Sequence, residues 1–507
     1  MHQTSTRIMK VTPEGRPFTR DFKDLFSTLV VSLTLKTHRV RFKNYPFSFT
    51  TEEAVANLSN LKFAQSNRMP DPNDPTRIVT TTTTTTFSMA PDMAKGLCQR
   101  FMEARFFESA NDKSLTVFKD KSVWVFTAKG IRVLDRFCQR NGIQTETVKE
   151  LTSSAMNSMQ LVLLERDPET DAILESDAVV EIIFRRFAGK KPNIRPASET
   201  ETGAEYATGL TGVRLVDLRK MADGNMKWTF SGKSMISWIL DCSTALEAEE
   251  AMEIARMFLF HQLILYVGDA RGNRGQDQAI SGSKYAIYQI TAKGRCVAGW
   301  EGTYDTEKMV PAQGALQAKL NPSMAALRLS NPRSASQSSA DGNAVDLFNG
   351  SAQNSRETNT ARLQIIMDDA ALRSQFSEFL RENYCEENLS FYIDVREFQR
   401  QFKDVKELES VSEGLARAYS IYNAFLASGS PCELNLDHSL RLDMAAQMTR
   451  VVGDDAESMR RSLQQVAELY DRAQNQVFRL MAGDSVPKFL KTPLFLNMWN
   501  MEQDKKQ

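Results

Sequence analysis

Thr127-Ala128-Lys129-Gly130 recurs as Thr291-Ala292-Lys293-Gly294, each time directly after a strand-like segment. A repeat at matching places in two long segments means that the front of the chain uses one structural unit twice. The surroundings agree: Trp228-Thr229-Phe230-Ser231-Gly232-Lys233-Ser234-Met235-Ile236 corresponds to the stretch from Phe47 to Val55, and Arg256-Met257-Phe258-Leu259 to Arg100-Phe101 and its neighbours. In the first unit Phe22, Leu25, Phe26, Leu29, Val30 and Leu33 recur at helical spacing, which predicts a helix between Phe22 and Leu35. Thr50 or Thr51 is placed to cap a second helix, with Glu52 and Glu53 in its first turn. Leu97, Phe101 and Ala104 mark a third. Leu115-Thr116-Val117-Phe118 and Val123-Trp124-Val125-Phe126, flanking Lys119-Asp120-Lys121-Ser122, predict a closing hairpin. Residues 64–88 break the pattern. They are rich in Pro, Asp and Asn and contain seven threonines, Thr80 to Thr86, with no alternating apolar face, which predicts an extended or disordered insertion.

The end of the chain follows another plan. Leu372, Phe376, Phe379 and Leu380 run a helix into Asn383, and Phe391, Val395, Phe398 and Phe402 start another near Glu386. Tyr384-Cys385-Glu386-Glu387-Asn388 therefore sits at a helix–helix corner, with Glu386 and Glu387 in a first turn that favours negative charge. A second polar stretch, Glu433-Leu434-Asn435-Leu436-Asp437, follows the turn-rich Ser428-Gly429-Ser430-Pro431. A third, Leu480 to Leu490, closes a helix marked by Val466, Tyr470, Ala473 and Val477. With these residues in this order, 361–500 resemble an RGS domain, the GTPase-activating module for heterotrimeric G-protein α subunits, through to Phe489-Leu490 and Phe495-Leu496. The two front units, each with an aromatic strand end before a Ser/Thr-Gly-type helix start, resemble winged-helix DEP domains. Two DEP-like modules ahead of an RGS domain resemble the fungal RGS proteins of the FlbA type. The implied architecture is mostly α and multidomain: two winged-helix (α+β) DEP-like modules followed by an all-α RGS helical bundle. The expected boundaries are a flexible N-terminus at 1–19, DEP-like domain 1 at 20–140, and a helical connector and linker at 141–208. DEP-like domain 2 at 209–300, a flexible linker at 301–360, the RGS domain at 361–500 and a tail at 501–507 follow.

A Gα subunit carries its own catalytic glutamine and an arginine in cis. The resemblance therefore implies a GTPase activator with no catalytic residue of its own, no cofactor and no metal. It assigns to Asn435 the contact that orients the glutamine, and to Tyr384, Glu387 and Asn388 hydrogen bonds with a switch segment. Asp437 belongs to the same Gα-binding set; Leu480, Asp484 and Ser485 would line the other side of the groove, with Lys488 beside them. Three departures stand out. Lys488 occupies a place where the family commonly has arginine, keeping the charge without the planar fork. Pro487 should end or kink its helix. The interval between Asp437 and Asp471 is long, with Gly453-Asp454-Asp455 in its middle, so 446–462 is either a tolerated surface extension or a segment that tunes which α subunit is accepted. The implied partners are a GTP-bound Gα of the inhibitory class and, through the DEP-like modules, a receptor tail or membrane surface. Cytoplasmic location with peripheral association at the plasma membrane follows from the same resemblance.

Composition excludes other classes. Lys+Arg and Asp+Glu are equal at 63 each, which gives no support for general nucleic-acid binding. The segment Leu246–Phe260 carries Glu247, Glu249, Glu250 and Glu253 against Arg256, the wrong sign for a DNA-reading helix; a transcription factor would need salt-dependent duplex binding. Six scattered cysteines with no CxxC pair read as reduced thiols. Four separated histidines suggest no metal site. Met1-His2-Gln3-Thr4 lacks a signal-peptide core, and no apolar run approaches the ~20 residues of a membrane helix, so a soluble chain is expected. Gly232-Lys233-Ser234 is no phosphate loop, because Lys227 stands where the first glycine is needed; Ser231 as a helix cap explains it. Arg333 and the serines after it read as solvated linker, with a kinase site as the alternative. The rival to an activator is a non-catalytic scaffold that uses the RGS-like fold to bind another partner.

Overall fold

The computed structural model describes residues 9–71, 74–141, 143, 145–196, 203–220, 224–269, 280–300, 356–402, 408–427, 429–430, 432–450, 456–492 and 495–496. In the first unit α1 (Thr19–Ser32) buries Phe22, Leu25, Phe26, Leu29 and Val30 along one stripe. A two-residue turn joins β1 (Lys36–Val40) to β2 (Lys43–Thr50). Thr50 then starts α2 (Thr51–Ser59) with a reciprocal cap: its hydroxyl accepts from Glu53 N at 3.2 Å, and the Glu53 carboxylate accepts from Thr50 N at 2.8 Å. β3 (Asn60–Asp71) and β4 (Asp74–Ser88) form an antiparallel arm, so the threonine run is extended and paired. The chain returns through α3 (Pro91–Glu103), β5 (Phe107–Ser109), β6 (Val123–Phe126) and α4 (Ala128–Asn141). The sheet order is β1-β2-β6-β5. Phe22–Phe101, Phe26–Phe106 and Phe49–Phe126, with centroids 4.8, 4.5 and 5.3 Å apart, fill the space between helices and sheet.

After α5 (Glu146–Thr152) the second unit repeats the plan. α6 (Asp177–Ala188) takes the place of α1, followed by the short β7 (Asn193–Ile194), then β8 (Arg214–Lys220), β9 (Gly224–Ser231), α7 (Gly232–Cys242) and α8 (Ala248–Phe260). β10 (Ile264–Asp269), β11 (Ala286–Ile290) and α9 (Ala292–Val297) complete it. The order β10-β11-β9-β8 matches the first sheet, with β7 added in parallel at the edge. Phe47 and Trp228 share a left-handed backbone (φ 50° and 57°), and each precedes a buried Phe, 49 or 230. Ser231 caps α7 by accepting from Ser234 N at 3.1 Å, as expected. The repeated tetrapeptide makes the same joint twice. The hydroxyls of Thr127 and Thr291 donate to Arg105 O and Gln262 O, both at 2.6 Å. A side chain on Gly130 would lie 1.9 Å from Phe106 O, and one on Gly294 2.2 Å from Leu263 O, so only glycine permits this approach.

Several expectations change. The helix at 177–188, expected as part of a connector, packs on the second module: Phe184 and Phe187 lie against Phe258, and Phe187 also against Phe230 and Trp238, so it shares that module's core. Residues 115–118 are loop, and the strand that pairs with β6 is β5; Phe118 leaves the sheet to stack on Trp124 at 4.8 Å. Residues 9–18 are tied down rather than loose. Arg16 pairs with Asp171 at 2.6 Å, and Thr19 N donates to Asp171 at 3.0 Å. The linker 301–355 with Arg333 and its serines, and the tail 501–507, lie outside the described residues.

The C-terminal bundle comprises α10 (Arg356–Asp368), α11 (Ala370–Glu382), α12 (Glu386–Phe402), α13 (Leu408–Phe425), α14 (His438–Arg450) and α15 (Ala456–Leu480). Phe376, Phe391, Val395, Phe398, Tyr470, Val477 and Phe489 share its core. Pro487 does not end the last helix. The chain widens into a π-helical turn at Met481–Ser485 and continues as α16 (Val486–Phe489), which absorbs the missing N–H. The long interval after Asp437 holds α14 and the first part of α15; Gly453-Asp454-Asp455 lie outside the described residues.

The bundle rests on both front units. α4 packs against α13, the arm strand β3 against α13 and α14, and α6 against α11. Arg186 pairs with Glu378 at 2.9 Å, Arg400 with Glu169 at 3.0 Å, and Arg373 with Glu165. Among the described residues no helix is long and apolar enough to cross a membrane.

Candidate functional site

The corner after α11 is a Schellman turn. Cys385 N donates to Leu380 O at 3.0 Å and Tyr384 N to Arg381 O at 3.2 Å, the two bonds that close a helix through a left-handed residue. That residue is normally glycine; here it is Tyr384, at φ 54° and 93% exposed. A bulky side chain in this conformation is strained, and full exposure gives it no packing in return. Asn388, one turn into α12, directs its amide back to Cys385 O at 3.3 Å. Glu387 is half-buried, and burial raises its carboxyl above the ordinary value.

The second patch is positioned by alternation. Leu434 and Leu436 are buried in the bundle core, so Glu433, Asn435 and Asp437 between and beside them point outward. The loop is held by Leu434 N donating to Phe425 O at 2.9 Å, by Arg441 donating to Leu434 O at 2.6 Å, and by the Arg441–Glu433 ion pair. The Asn435 amide is exposed and makes no hydrogen bond among the described residues. Asp437 is occupied: it caps α14, accepting from Ser439 N at 2.9 Å and the Ser439 hydroxyl at 2.5 Å, bonds that hold its carboxyl below the usual range.

In the third patch the π turn sets which residues face out. Met481, Ala482, Val486 and Phe489 are buried, while Leu480, Asp484 and Lys488 are exposed. Lys488 donates to Asp484 at 3.0 Å. Ser485 is only 8% exposed, so it underlies the surface rather than lining it. Phe489 packs on Phe376 and Phe379 of α11 at 5.2 and 5.6 Å, tying this segment to the helix that ends at the Tyr384 corner.

Two cysteines report that the patches adjoin. Burial pushes the Cys385 thiol up, Glu387 and Asp484 add to this, and Lys488 opposes it. Burial pushes Cys432 to about 11, with Glu387 and Glu386 next in effect. Glu387 is thus a near neighbour of Cys432, and Asp484 and Lys488 of Cys385, so the three patches adjoin along one edge. A shallow groove of about 650 Å³ between α14 and α15, lined by Asp437, Leu440, Asn475 and Arg479, borders it. Sequence reasoning missed Glu386, which turns away from this edge. Its carboxylate accepts from Arg381 Nε at 2.8 Å and lies 3.7 and 3.9 Å from Arg132 and Arg136 of α4. Burial alone would raise its carboxyl; Arg136, Arg381 and Arg132 outweigh burial and hold it below the ordinary value. Among the described residues no group of three or more His, Cys, Asp or Glu could hold a metal ion. The edge offers an amide, carboxylates, an ammonium and an aromatic ring, groups able to hydrogen-bond and pack against a partner.

Comparison with known proteins finds three domains along the chain. Residues 362–498 match the regulator of G protein signaling domain, 212–290 the domain found in Dishevelled, Egl-10 and Pleckstrin, and 21–154 the fungal-differentiation regulator winged helix domain. The DEP description thus attaches to the second unit, and the first matches a different winged helix, so the expected pair of DEP domains is established for one copy only. "Developmental regulator flbA" of Emericella nidulans is 47% identical over 98% of this chain, which spans 66% of that protein. "Regulator of G-protein signaling 1" of Schizosaccharomyces pombe is 28% identical over 96% of the chain and 92% of its own length. Human "Regulator of G-protein signaling 16" is 32% identical over 24% of the chain and 50% of its own length.

Proposed function

This chain belongs to the fungal regulators of G-protein signalling, and from that premise we propose that it accelerates GTP hydrolysis by a heterotrimeric Gα subunit of the inhibitory class. The observation that carries the proposal is Asn435, held outward between two buried leucines with its amide making no hydrogen bond among the described residues. A Gα alone turns over on the order of 10⁻² per second with its glutamine and arginine in place. An activator need only fix the mobile switch segments in the arrangement that suits the transition state. Asn435 would contact the switches and the glutamine that positions water. Tyr384, Glu387 and Asn388 would hold one switch, and Leu480, Asp484 and Lys488 the other, with Asp437 and Ser485 shaping the backbone beneath them. Lys488 acts as a point charge there, in keeping with its Asp484 pair.

The front units would bring the bundle to the plasma membrane from the cytoplasm and raise its local concentration at the target. The β1–β2 tip supports this reading. Phe42 is 93% exposed, Arg39, Arg41 and Lys43 flank it in the open, and 36–46 contain no Asp or Glu. An apical aromatic among cations suits an anionic lipid interface.

Stabilising a transition state predicts preferential binding to its mimic. The chain should bind Gα carrying GDP and aluminium fluoride at least tenfold tighter than Gα carrying GDP alone. Equal affinity for the two would favour a scaffold and sink the activator reading.

A further inference from the structure

We infer that α4 of the first winged helix positions the Gα-contact corner by clamping Glu386, an inference that rests on the functional reading of that corner. Glu386 is the first residue of α12, directly before Glu387 and Asn388 and two residues after the strained Tyr384. Whatever fixes its carboxylate fixes the entry of α12 and, with it, the direction of those three side chains. Of the three arginines around it, Arg381 belongs to the bundle; Arg132 and Arg136 stand one turn apart on α4. Asp135 and Glu387 are the acids at this junction. Asp135 accepts from Arg132 at 2.8 Å and from Gln139 at 3.1 Å, which steadies the α4 side of the clamp.

The far end of α4 is anchored as well. Arg140 pairs with Asp24 of α1, and the Asn141 amide meets Ser420 of α13 at 3.3 Å. α13 is the helix that leads into the Asn435 loop. The winged-helix plan does not need this reach: the matching α9 has 6 residues where α4 has 14. The added turns are the ones that carry Arg136 and Asn141 to the bundle and Arg140 to α1. At 3.7 and 3.9 Å the α4 contacts are Coulombic, so they require positive charge rather than the guanidinium fork.

The test uses the full chain in single-turnover GTP hydrolysis by Gα across a range of chain concentrations. Arg132→Gln/Arg136→Gln should raise the half-saturating concentration about fivefold and leave the saturating rate unchanged, while Arg132→Lys/Arg136→Lys should behave as native. Hydrogen exchange should rise about fivefold at 383–388 in the glutamine variant and stay unchanged at 481–489. Native half-saturation together with native exchange would overturn the inference. Faster exchange throughout the bundle would make α4 a general support and overturn it too. A native chain that accelerates no Gα would remove the functional reading, and the exchange at 383–388 would still decide whether α4 positions the corner.

Discussion

The two winged-helix units share the motif Thr-Ala-Lys-Gly, and its lysine does different work in each. Lys293 donates to His261 O at 2.9 Å, at the end of α8 in its own unit. Lys129 is buried and reaches out of its unit, donating to Leu240 O and Ala245 O of the second at 2.5 and 2.6 Å. Threonine and glycine behave alike in both because their partners lie within the local joint. The lysine differs because its partner is whatever packs against the joint. A repeated motif therefore specifies a repeated fold, while its outward residues are free to become interfaces. The first copy has gone furthest in this direction, with α4 and the β3–β4 arm both packed on the helical bundle.

The sharpest way to break the equivalence is at the glycines. Gly130→Ala and Gly294→Ala place a methyl 1.9 and 2.2 Å from a carbonyl oxygen, and each should lose about 3 kcal/mol or more in urea unfolding. A Gly130 variant within about 1 kcal/mol of native would show that the joints are not equivalent. The lysines sharpen the difference. Lys129→Met leaves two buried carbonyls without a donor and should lose about 2–4 kcal/mol; Lys293→Met should lose about 1 kcal/mol. Equal losses would mean that the contact across the two units carries no special weight.

Lys129 also predicts a pH dependence. Burial pushes its amine down to about 7, whereas an unfolded lysine titrates near about 10.4. Between those values the unfolded state binds the extra proton, so stability should rise as pH increases, with the penalty complete below about 7. Unfolding from pH 7.5 to 9.5 should show native stability climbing relative to Lys129→Met. Parallel profiles would contradict this. The smallest effect concerns the hairpin tips. Phe42→Ser should lower partition onto phosphatidylserine vesicles about tenfold, and Met226→Ser on β9 of the second hairpin should change it less than about twofold. Equal responses would place no membrane role in the first tip.

What could be read from the sequence follows the same division. The Thr50–Glu53 cap, the Ser231 cap, the helix that stops at Asn383 and the shared tetrapeptide rest on neighbours a few residues away, and they were legible. α6 was visible as an amphipathic helix, yet nothing local said whose core Phe184 and Phe187 would enter. β1 and the first half of β2 were hidden because Lys36, Arg39, Arg41 and Lys43 are solvent-facing charges with no apolar alternation to reveal a strand; the aromatic end of β2 was legible. Val117 and Phe118 had strand propensity, but Phe118 gains more by stacking on Trp124. At the site, Asn435 and Tyr384 stood out in the sequence. The burial of Ser485 did not, because the π turn shifts the helical phase by one residue. Glu386 read as a first-turn acid; beside the local Arg381, the other two arginines that hold it come from the first winged-helix unit.

Single-turnover hydrolysis of GTP bound to an inhibitory-class Gα, with the native full chain and with Asn435→Ala, tests the central claim most directly. The account predicts strong acceleration by the native chain and a loss of about 10²-fold or more in the variant, with unfolding stability retained. Native acceleration that survives Asn435→Ala intact would contradict the assignment of the site, and no acceleration of any Gα by the native chain would contradict the function.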